Sequence, residues 1–330
     1  MIDPLERWRE LGLPDKPDYA GLLTYAGMPY THDPAELAGF DVAIVGAPTD
    51  DLVSDRPGTR FGPRAIRAAS CPPGPHLEAG IDAFAELRVV DFGDAAVVPA
   101  DVESTHAQIE KTVAQVAAAG VVPVVLGGDH SITEANVRAV SGRYGPVGLV
   151  HFDTHSDTGT EVFGVERSHG TPMYRLVQAG HVAGARYVQI GLRGYWPGEA
   201  EFTWQLEHGI TSLFMHDVRE LGIGEVVERT VAVTGDGPVF LTVDVDVLDP
   251  AFAPGTGTPE PGGMTSSDLL RAVRELASRL DLVGLDVVEV IPTAVGSADI
   301  TALVADRIVR EALTGIAFRR RSPNRMLTTR

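Results

Sequence analysis

Eight short apolar runs, each followed by a Gly, Asp or Pro turn and then a segment of helical period, dictate the architecture: Val42–Val45, Leu87–Val90, Val121–Leu126, Val147–Phe152, Tyr187–Ile190, Thr211–Phe214, Val239–Val243 and Val283–Val288. Several are continuous in Val, Ile and Leu rather than alternating, as strands covered by helices on both faces must be. Runs that alternate with helical segments make βαβ units, so an α/β fold on a parallel sheet is expected. Between the runs, Thr105–Ala119 places Ile109, Val113, Val116 and Ala117 on one face, and Gly120 follows where a left-handed cap is wanted. Ser131 with Glu134, and Thr265 with Asp268, read as capping boxes, and a last helix is expected near Ile300–Thr314. No repeat or linker parts two domains. Residues 1–35, with five prolines, read as an irregular extension wrapping the surface or a neighbouring subunit, and residues 36–330 as one domain.

Charge and composition narrow the partners. Against 27 basic residues stand 45 acidic ones, a net charge of −18, which gives no footprint for a phosphate backbone, so nucleic acid is not expected as a partner. The most apolar stretch, Thr112–Gly128, is broken by Gln115 and Pro123, so no membrane span is expected. Residues 1–10 lack the apolar core of a signal peptide, and the expected address is cytoplasmic. The one cysteine, Cys71, has no basic neighbour and reads as inert, so any metal must be held by nitrogen and oxygen.

In open α/β sheets the C-terminal ends of the strands line a common crevice. Here the third run is followed by Gly127-Gly128-Asp129-His130-Ser131, the fourth by Asp153-Thr154-His155-Ser156-Asp157, the seventh by Asp244-Val245-Asp246, and the eighth by Glu289. In extended chain, residues two apart point the same way, so Asp153, His155 and Asp157 share a direction, as do Asp244 and Asp246. His151 is read as lying off that phase, facing away and packing. With His130 this makes six candidate ligands. Four carboxylates packed together repel one another unless cations balance them, and two divalent ions do so. Oxygen and imidazole ligation suits Mn²⁺, with Ni²⁺, Co²⁺ or Zn²⁺ admissible. A pair of ions roughly 3.5–4 Å apart acidifies a shared water and directs it at an electrophilic carbon, so the implied reaction is a hydrolysis.

The GGDHS, DTHSDT and DVDVLDPAFAPGTGTPEPGG segments resemble the signature blocks of the ureohydrolases, the arginase/agmatinase family, and the resemblance runs from about Asp41 to the C-terminal helix. It implies a three-layer α/β/α sandwich on an eight-stranded parallel sheet, hydrolysis of a guanidinium group to urea and an amine, two manganese ions per subunit, and a homo-oligomer, trimer or hexamer. Carried over by motif, His130 and Asp157 belong to one ion, His155 and Asp246 to the other, and Asp153 and Asp244 bridge both. Ser168-His169-Gly170-Thr171-Pro172 resembles the family loop whose histidine shuttles protons, which makes His169 the general acid/base. Glu289, in Asp286-Val287-Val288-Glu289, matches the carboxylate that pairs with the substrate guanidinium. The Arg56–Arg64 and Asp91–Asp94 segments, Asp249-Pro250 and the Gly255–Gly263 loop read as structural.

The tail of the substrate is read from the pocket mouth. Gly159–Arg167 lacks the polar anchors that arginases carry for an amino acid, whereas DVVEV, SHGTP and Gln189–Gly194 look like the agmatinase branch, which includes hydrolases of guanidinobutyrate and proclavaminate. A small cationic guanidino substrate, agmatine yielding putrescine in polyamine metabolism, is therefore expected. Asp50, Asp51, Glu161 and Glu166 are expected to favour its ammonium, with Tyr195-Trp196-Pro197 covering the apolar linker. Asp50–Asp55 and Pro292–Gly296 depart from the family pattern, and small residues at Ala294 and Gly296 leave a guanidino acid or a bulkier guanidino-bearing natural product as the alternative. A non-catalytic guanidinium-binding protein and a deacetylase-like amide hydrolase are the readings from other classes.

Overall fold

The structure, a computed structural model, describes the chain except residues 14, 15, 18, 71, 72, 197, 294–298 and 322–330; Cys71, Pro197, Ala294 and Gly296 lie outside the described residues. Eight strands, β1 (Val42–Ala47), β2 (Val89–Asp94), β3 (Val122–Gly127), β4 (Val147–Phe152), β5 (Val182–Leu192), β6 (Thr211–Phe214), β7 (Pro238–Asp244) and β8 (Asp281–Val288), form one sheet in the order β2-β1-β3-β8-β7-β4-β5-β6. Every neighbouring pair is parallel. Eleven helices accompany it among the described residues: α1 (Glu6–Glu10), α2 (Gly62–Ala69), α3 (Ala83–Glu86), α4 (Val102–Ala118), α5 (Ile132–Tyr144), α6 (Pro172–Gln178), α7 (Glu199–Glu207), α8 (Met215–Leu221), α9 (Ile223–Thr234), α10 (Ser266–Arg279) and α11 (Ile300–Arg321).

Alternate residues of each strand feed two cores. Val42, Ile44, Val124, Leu126, Phe152, Ile190, Leu241 and Leu285 pack with α2, α9, α10 and α11 on one face. Ala43, Val45, Val125, Leu149, Tyr187, Phe240 and Val288 pack with α4, α5 and α6 on the other. The result is a three-layer α/β/α sandwich, and at about 1.5–3 kcal/mol per fully buried aliphatic side chain these two cores dominate its stability. Residues 1–35 contribute the short α1 and single bridges from Tyr30 to Ile2 and to Asp91. They are tied down where the Tyr25 N–H donates to Asp91 Oδ2 (2.7 Å), a carboxylate that also takes two bonds from the buried Arg67 guanidinium (2.8 and 2.9 Å). Among the described residues, no helix is long and apolar enough to cross a membrane.

The strand runs are all present, with shifted ends. Leu87 closes α3, so β2 starts at Val89, and β5 begins at Val182, which pairs with Val147; the register breaks over Ala183–Arg186, which has no apolar signal, and regular pairing with β4 resumes at Tyr187. Thr265 caps α10 through the Asp268 N–H, while the Ser131 side chain makes no cap bond.

Candidate metal centre and active site

The four central strands, β3, β8, β7 and β4, deliver the candidate residues. β3 runs into Gly127-Gly128-Asp129-His130, where a Cβ on Gly128 would stand 2.5 Å from the Ala47 carbonyl oxygen and 2.6 Å from that of Thr49, so only glycine passes. Asp129, not Ser131, opens α5: it accepts from the Ser131 N–H (3.0 Å), while the Ser131 hydroxyl turns to His106 Nε2 (3.1 Å). Glu134 is held away from any capping role by Arg167 and Arg175 (3.2 and 2.8 Å).

His130 Nδ1 lies 2.9 Å from Asp157 Oδ2, 3.0 Å from Asp153 Oδ2 and 3.4 Å from Asp244 Oδ2, yet makes a hydrogen bond to none of them. Its Nε2 is 2.9 Å from Thr242 Oγ1. His155 Nδ1 stands 3.2 Å from Asp246 Oδ2 and 3.5 Å from Asp153 Oδ1. Two donor groups result, His130 with His151, Asp153 and Asp157, and His155 with Asp153 and Asp246; Asp153 belongs to both. Asp244 faces His130 with one oxygen and takes the Asp246 N–H with the other (2.8 Å).

The charges at this edge are in conflict without a cation. Burial, then repulsion from Asp246 and Asp153, pushes the Asp244 carboxyl well above the carboxylate range, and burial with Asp153 raises Asp246 to about 6. Burial works against charging His130 and His155, yet the surrounding carboxylates raise both. A divalent ion resolves both strains, neutralising the carboxylates and taking the imidazole lone pair that otherwise collects a proton. The unbonded His130 Nδ1, buried among three carboxylate oxygens, is the atom such an ion fits, and a donor set of nitrogen and oxygen without thiolate suits it.

His151 does not face away. It is two residues before Asp153, so it shares that face; its Nε2 meets Asp153 Oδ2 at 2.8 Å and its Nδ1 the Tyr187 hydroxyl at 2.9 Å. Gln189 Nε2 donates to that hydroxyl (2.8 Å), which leaves the phenol proton for Nδ1 and an Nε2–H for Asp153.

Beside the centre, Glu289 occupies a left-handed backbone conformation (φ 63°), its N–H bonded to Gly128 O (2.9 Å). Glu289 Oε1 accepts from the His130 N–H (3.0 Å) and meets His169 Nδ1 (2.9 Å), whereas the buried Oε2 has no partner. His169 Nε2 accepts from the Ser54 N–H (3.1 Å) and touches Ser54 Oγ (2.7 Å). Burial opposes a charge on this ring, but the hydrogen bond and charge of Glu289 outweigh it and raise His169 to about 9. The Ser54 N–H calls for a lone pair on Nε2, while the Ser54 hydroxyl can accept an Nε2–H, so the ring carries its Nδ1 proton in both the neutral and the charged form.

A cavity of about 420 Å³ opens onto these groups, lined by Ser54, His155, Asp157, Glu161, Val162, Phe163, His169, Gly170, Trp196, Asp244 and Thr258. Glu161 and Trp196 thus lie where the mouth was expected, the Trp196 ring edge packing over Gly159 and Gly170, where Cβ atoms would come within 3.3 and 3.6 Å of it. Asp51 and Asp50 do not line it. Arg60 binds both carboxylates, Asp51 at 3.0 Å, and the Ala100 N–H takes the other Asp51 oxygen (3.1 Å), so these acids are spent on the turn. Glu166 is also absent from the lining. Arg193, passed over in the sequence, donates to the carbonyls of Asp246, Val247 and Leu248 (2.8, 3.2 and 3.3 Å) and pins the turn that carries Asp246. Asp249 ties the Gly255–Gly263 loop through the Gly262 N–H (2.7 Å), while Thr258 of that loop reaches the cavity.

The family model described as Arginase family matches residues 40–315. The chain belongs to the arginase family. Guanidinopropionase of Pseudomonas aeruginosa is 44% identical over 91% of this chain and 93% of its own. Mitochondrial agmatinase of Gallus gallus is 40% identical over 83% and 81%. The solved structure of proclavaminate amidinohydrolase from Streptomyces clavuligerus superposes with a TM-score of 0.86 at 37% identity, covering 92% of this chain and 99% of that one. As a member of the arginase family, the chain is a hydrolase of guanidino C–N bonds.

Proposed function

We propose that this arginase-family chain hydrolyses a linear guanidino compound to urea and an amine, with agmatine, yielding putrescine, as its substrate. The observation that carries the reaction is the buried Glu289 Oε2, a carboxylate oxygen with no partner beside a double cluster of metal-ligating groups. His130, Asp153, His155, Asp157, Asp244 and Asp246 would hold two manganese ions. When bound, they supply a water acidic enough to act as nucleophile at neutral pH.

The chain's own groups do the rest. Glu289 presents Oε2 to the planar guanidinium, whose N–H fork matches a carboxylate, and so fixes the central carbon beside the centre. The left-handed backbone at Glu289 aims that carboxylate, and the His130 N–H on Oε1 keeps it from turning. Water oxygen bonds to the guanidinium carbon and the C–N bond to the tail breaks. The electron pair stays on the departing nitrogen, which takes the Nδ1 proton of the His169 imidazolium; of the two protons the water gives up, one restores His169 and the other completes the ammonium product. Trp196, Val162 and Phe163 offer apolar surface to a methylene tail and exclude water from it.

The tail is assigned from the lining. Among the described residues it contains Glu161 and neither Lys nor Arg, which suits a terminal ammonium and leaves a terminal carboxylate without a partner. A guanidino acid is the second reading, favoured by relatives named guanidinopropionase, guanidinobutyrase and proclavaminate amidinohydrolase. Urea release by manganese-reconstituted protein across agmatine, arginine, guanidinobutyrate, guanidinopropionate and an alkylguanidine decides between them. Preference for a guanidino acid overturns the assignment of the tail, and no release from any of them overturns the reaction. One catalytic domain over residues 36–330, a trimer or hexamer, and a cytoplasmic address complete the proposal; limited proteolysis, light scattering and cell fractionation test them.

A further inference from the structure

Beneath the candidate ligands the sheet carries a row of polar side chains at one level. Asp286 of β8 is the register partner of Thr242 of β7, Thr242 of His151 of β4, and His151 of Gln189 of β5. All four are fully buried, and their immediate neighbours along the strands are mostly Val, Leu, Ile and Phe. Polar side chains are retained at such depth when hydrogen-bonded, and each of the four has a partner, Asp286 through Oδ2 alone. On the His130 side the partners form a directed chain. His130 Nε2 lies 2.9 Å from Thr242 Oγ1, and Thr242 Oγ1 in turn lies 3.5 Å from Thr133 Oγ1. Thr133 Oγ1 and Asn136 Nδ2, one turn apart on α5, both donate to Asp286 Oδ2 (2.9 Å each).

Asp286 accepts the Thr133 hydroxyl hydrogen, which leaves a Thr133 lone pair for the Thr242 hydroxyl hydrogen. The Thr242 lone pair is then left for an Nε2–H of His130, and the Nδ1 lone pair is left for the centre. We propose that Thr242, backed through Thr133 by Asp286, is the positioning residue that fixes His130 in its Nε2–H form and thereby sets how tightly the His130 side of the centre holds its ion. This rests on the reading of the site as a metal centre. The interactions that orient a metal-bound histidine commonly account for 10–100-fold in affinity.

The test compares wild type, Thr242→Val, which keeps the shape and removes the acceptor, and Thr242→Ser, which restores it. Mn²⁺ binding is followed by competition with a chelator, and the thermal midpoint of each metal-free protein is taken alongside. The expected result is one of two sites weakened roughly 10–100-fold in Val and within about threefold of wild type in Ser, with metal-free midpoints that do not follow that order. Equal affinities in all three proteins, or equal losses in Val and Ser, overturn the proposal. Should Val not fold, ¹⁵N-histidine spectra of Zn²⁺-loaded wild type decide: an Nε2–H, Nδ1-ligated His130 supports it and an Nδ1–H form overturns it. Wild type that binds no divalent ion fails the metal-centre reading itself, a different outcome from any of these.

Discussion

Glu289→Gln keeps the shape of the side chain and removes its charge. Oε1 already serves the His130 N–H at 3.0 Å and His169 Nδ1 at 2.9 Å, so the amide oxygen stays there and the NH₂ group falls where the unpartnered Oε2 stood. A guanidinium is all donors, and the variant meets it with another donor. Truncating one partner of a buried, hydrogen-bonded charge pair costs about 2–5 kcal/mol. At about 1.4 kcal/mol per tenfold this is a loss of roughly 30- to 5000-fold in kcat/KM. Glu289 lies outside both donor groups, so the metal content is expected to stay at the wild-type value. Urea release measured on protein of known metal content checks both. A loss below about fivefold at full metal content refutes the carboxylate–guanidinium contact.

Other outcomes follow from the same geometry. Asp153→Asn, at the residue common to both donor groups, is expected to lower bound metal and abolish urea release, as elemental analysis and a colorimetric assay would show. Glu161→Gln is expected to shift the agmatine-to-guanidinobutyrate ratio of kcat/KM by about fivefold, because an exposed charge contributes about 1 kcal/mol, and an unchanged ratio removes Glu161 from recognition. Neutralising Glu289 takes away the main influence raising His169 to about 9, so the alkaline limb of the wild-type kcat/KM profile moves to lower pH in Glu289→Gln. His106 is held down to about 4 by burial and the nearby Arg167 charge. The unfolded chain then binds the extra proton below about 6.5, so this residue costs stability progressively as pH falls from 6.5 to 4 and nothing above that window, about 3 kcal/mol at the acid end. Urea unfolding of wild type and His106→Gln across that range should show the acid loss shrinking in the variant.

The layering and the strands were legible because burial on both faces leaves an unbroken Val, Ile and Leu signal that needs no neighbour to interpret. The ligand motifs were legible because spacing by two along one strand is a local property. What escaped depends on contacts between strands or between loops. Ser131 has the right residue for a cap, but Asp129 already serves that turn and His106, 25 residues away, takes the hydroxyl. Asp51 has the right charge for an ammonium, but the sequence does not reveal that Arg60 folds back onto it. Ser54 meets His169 only through the loop contact that joins residues 115 apart. His151 and Thr242 were within reach, since each stands two residues before a candidate ligand on its own strand; the period-2 rule that placed Asp153 and Asp244 places them too. The left-handed turn at Glu289 left no mark, because glycine and asparagine, the usual signals, are absent there.

The polar row across β8, β7, β4 and β5 also bears on how the sheet assembles. Parallel strands of Val, Ile and Leu discriminate poorly between neighbouring registers, since sliding one past another exchanges one aliphatic contact for a similar one. With the row in place, a one-residue slip of β8 against β7 sets Asp286 beside Leu241 or Val243 and turns its carboxylate to the other face, away from Thr133 and Asn136. Burying that group without its donors is penalised far more heavily than a mismatched methyl. The same four side chains that underlie the reacting centre therefore act as an alignment code, and a strand pairing that would scatter the ligands is disfavoured before any ion or substrate arrives.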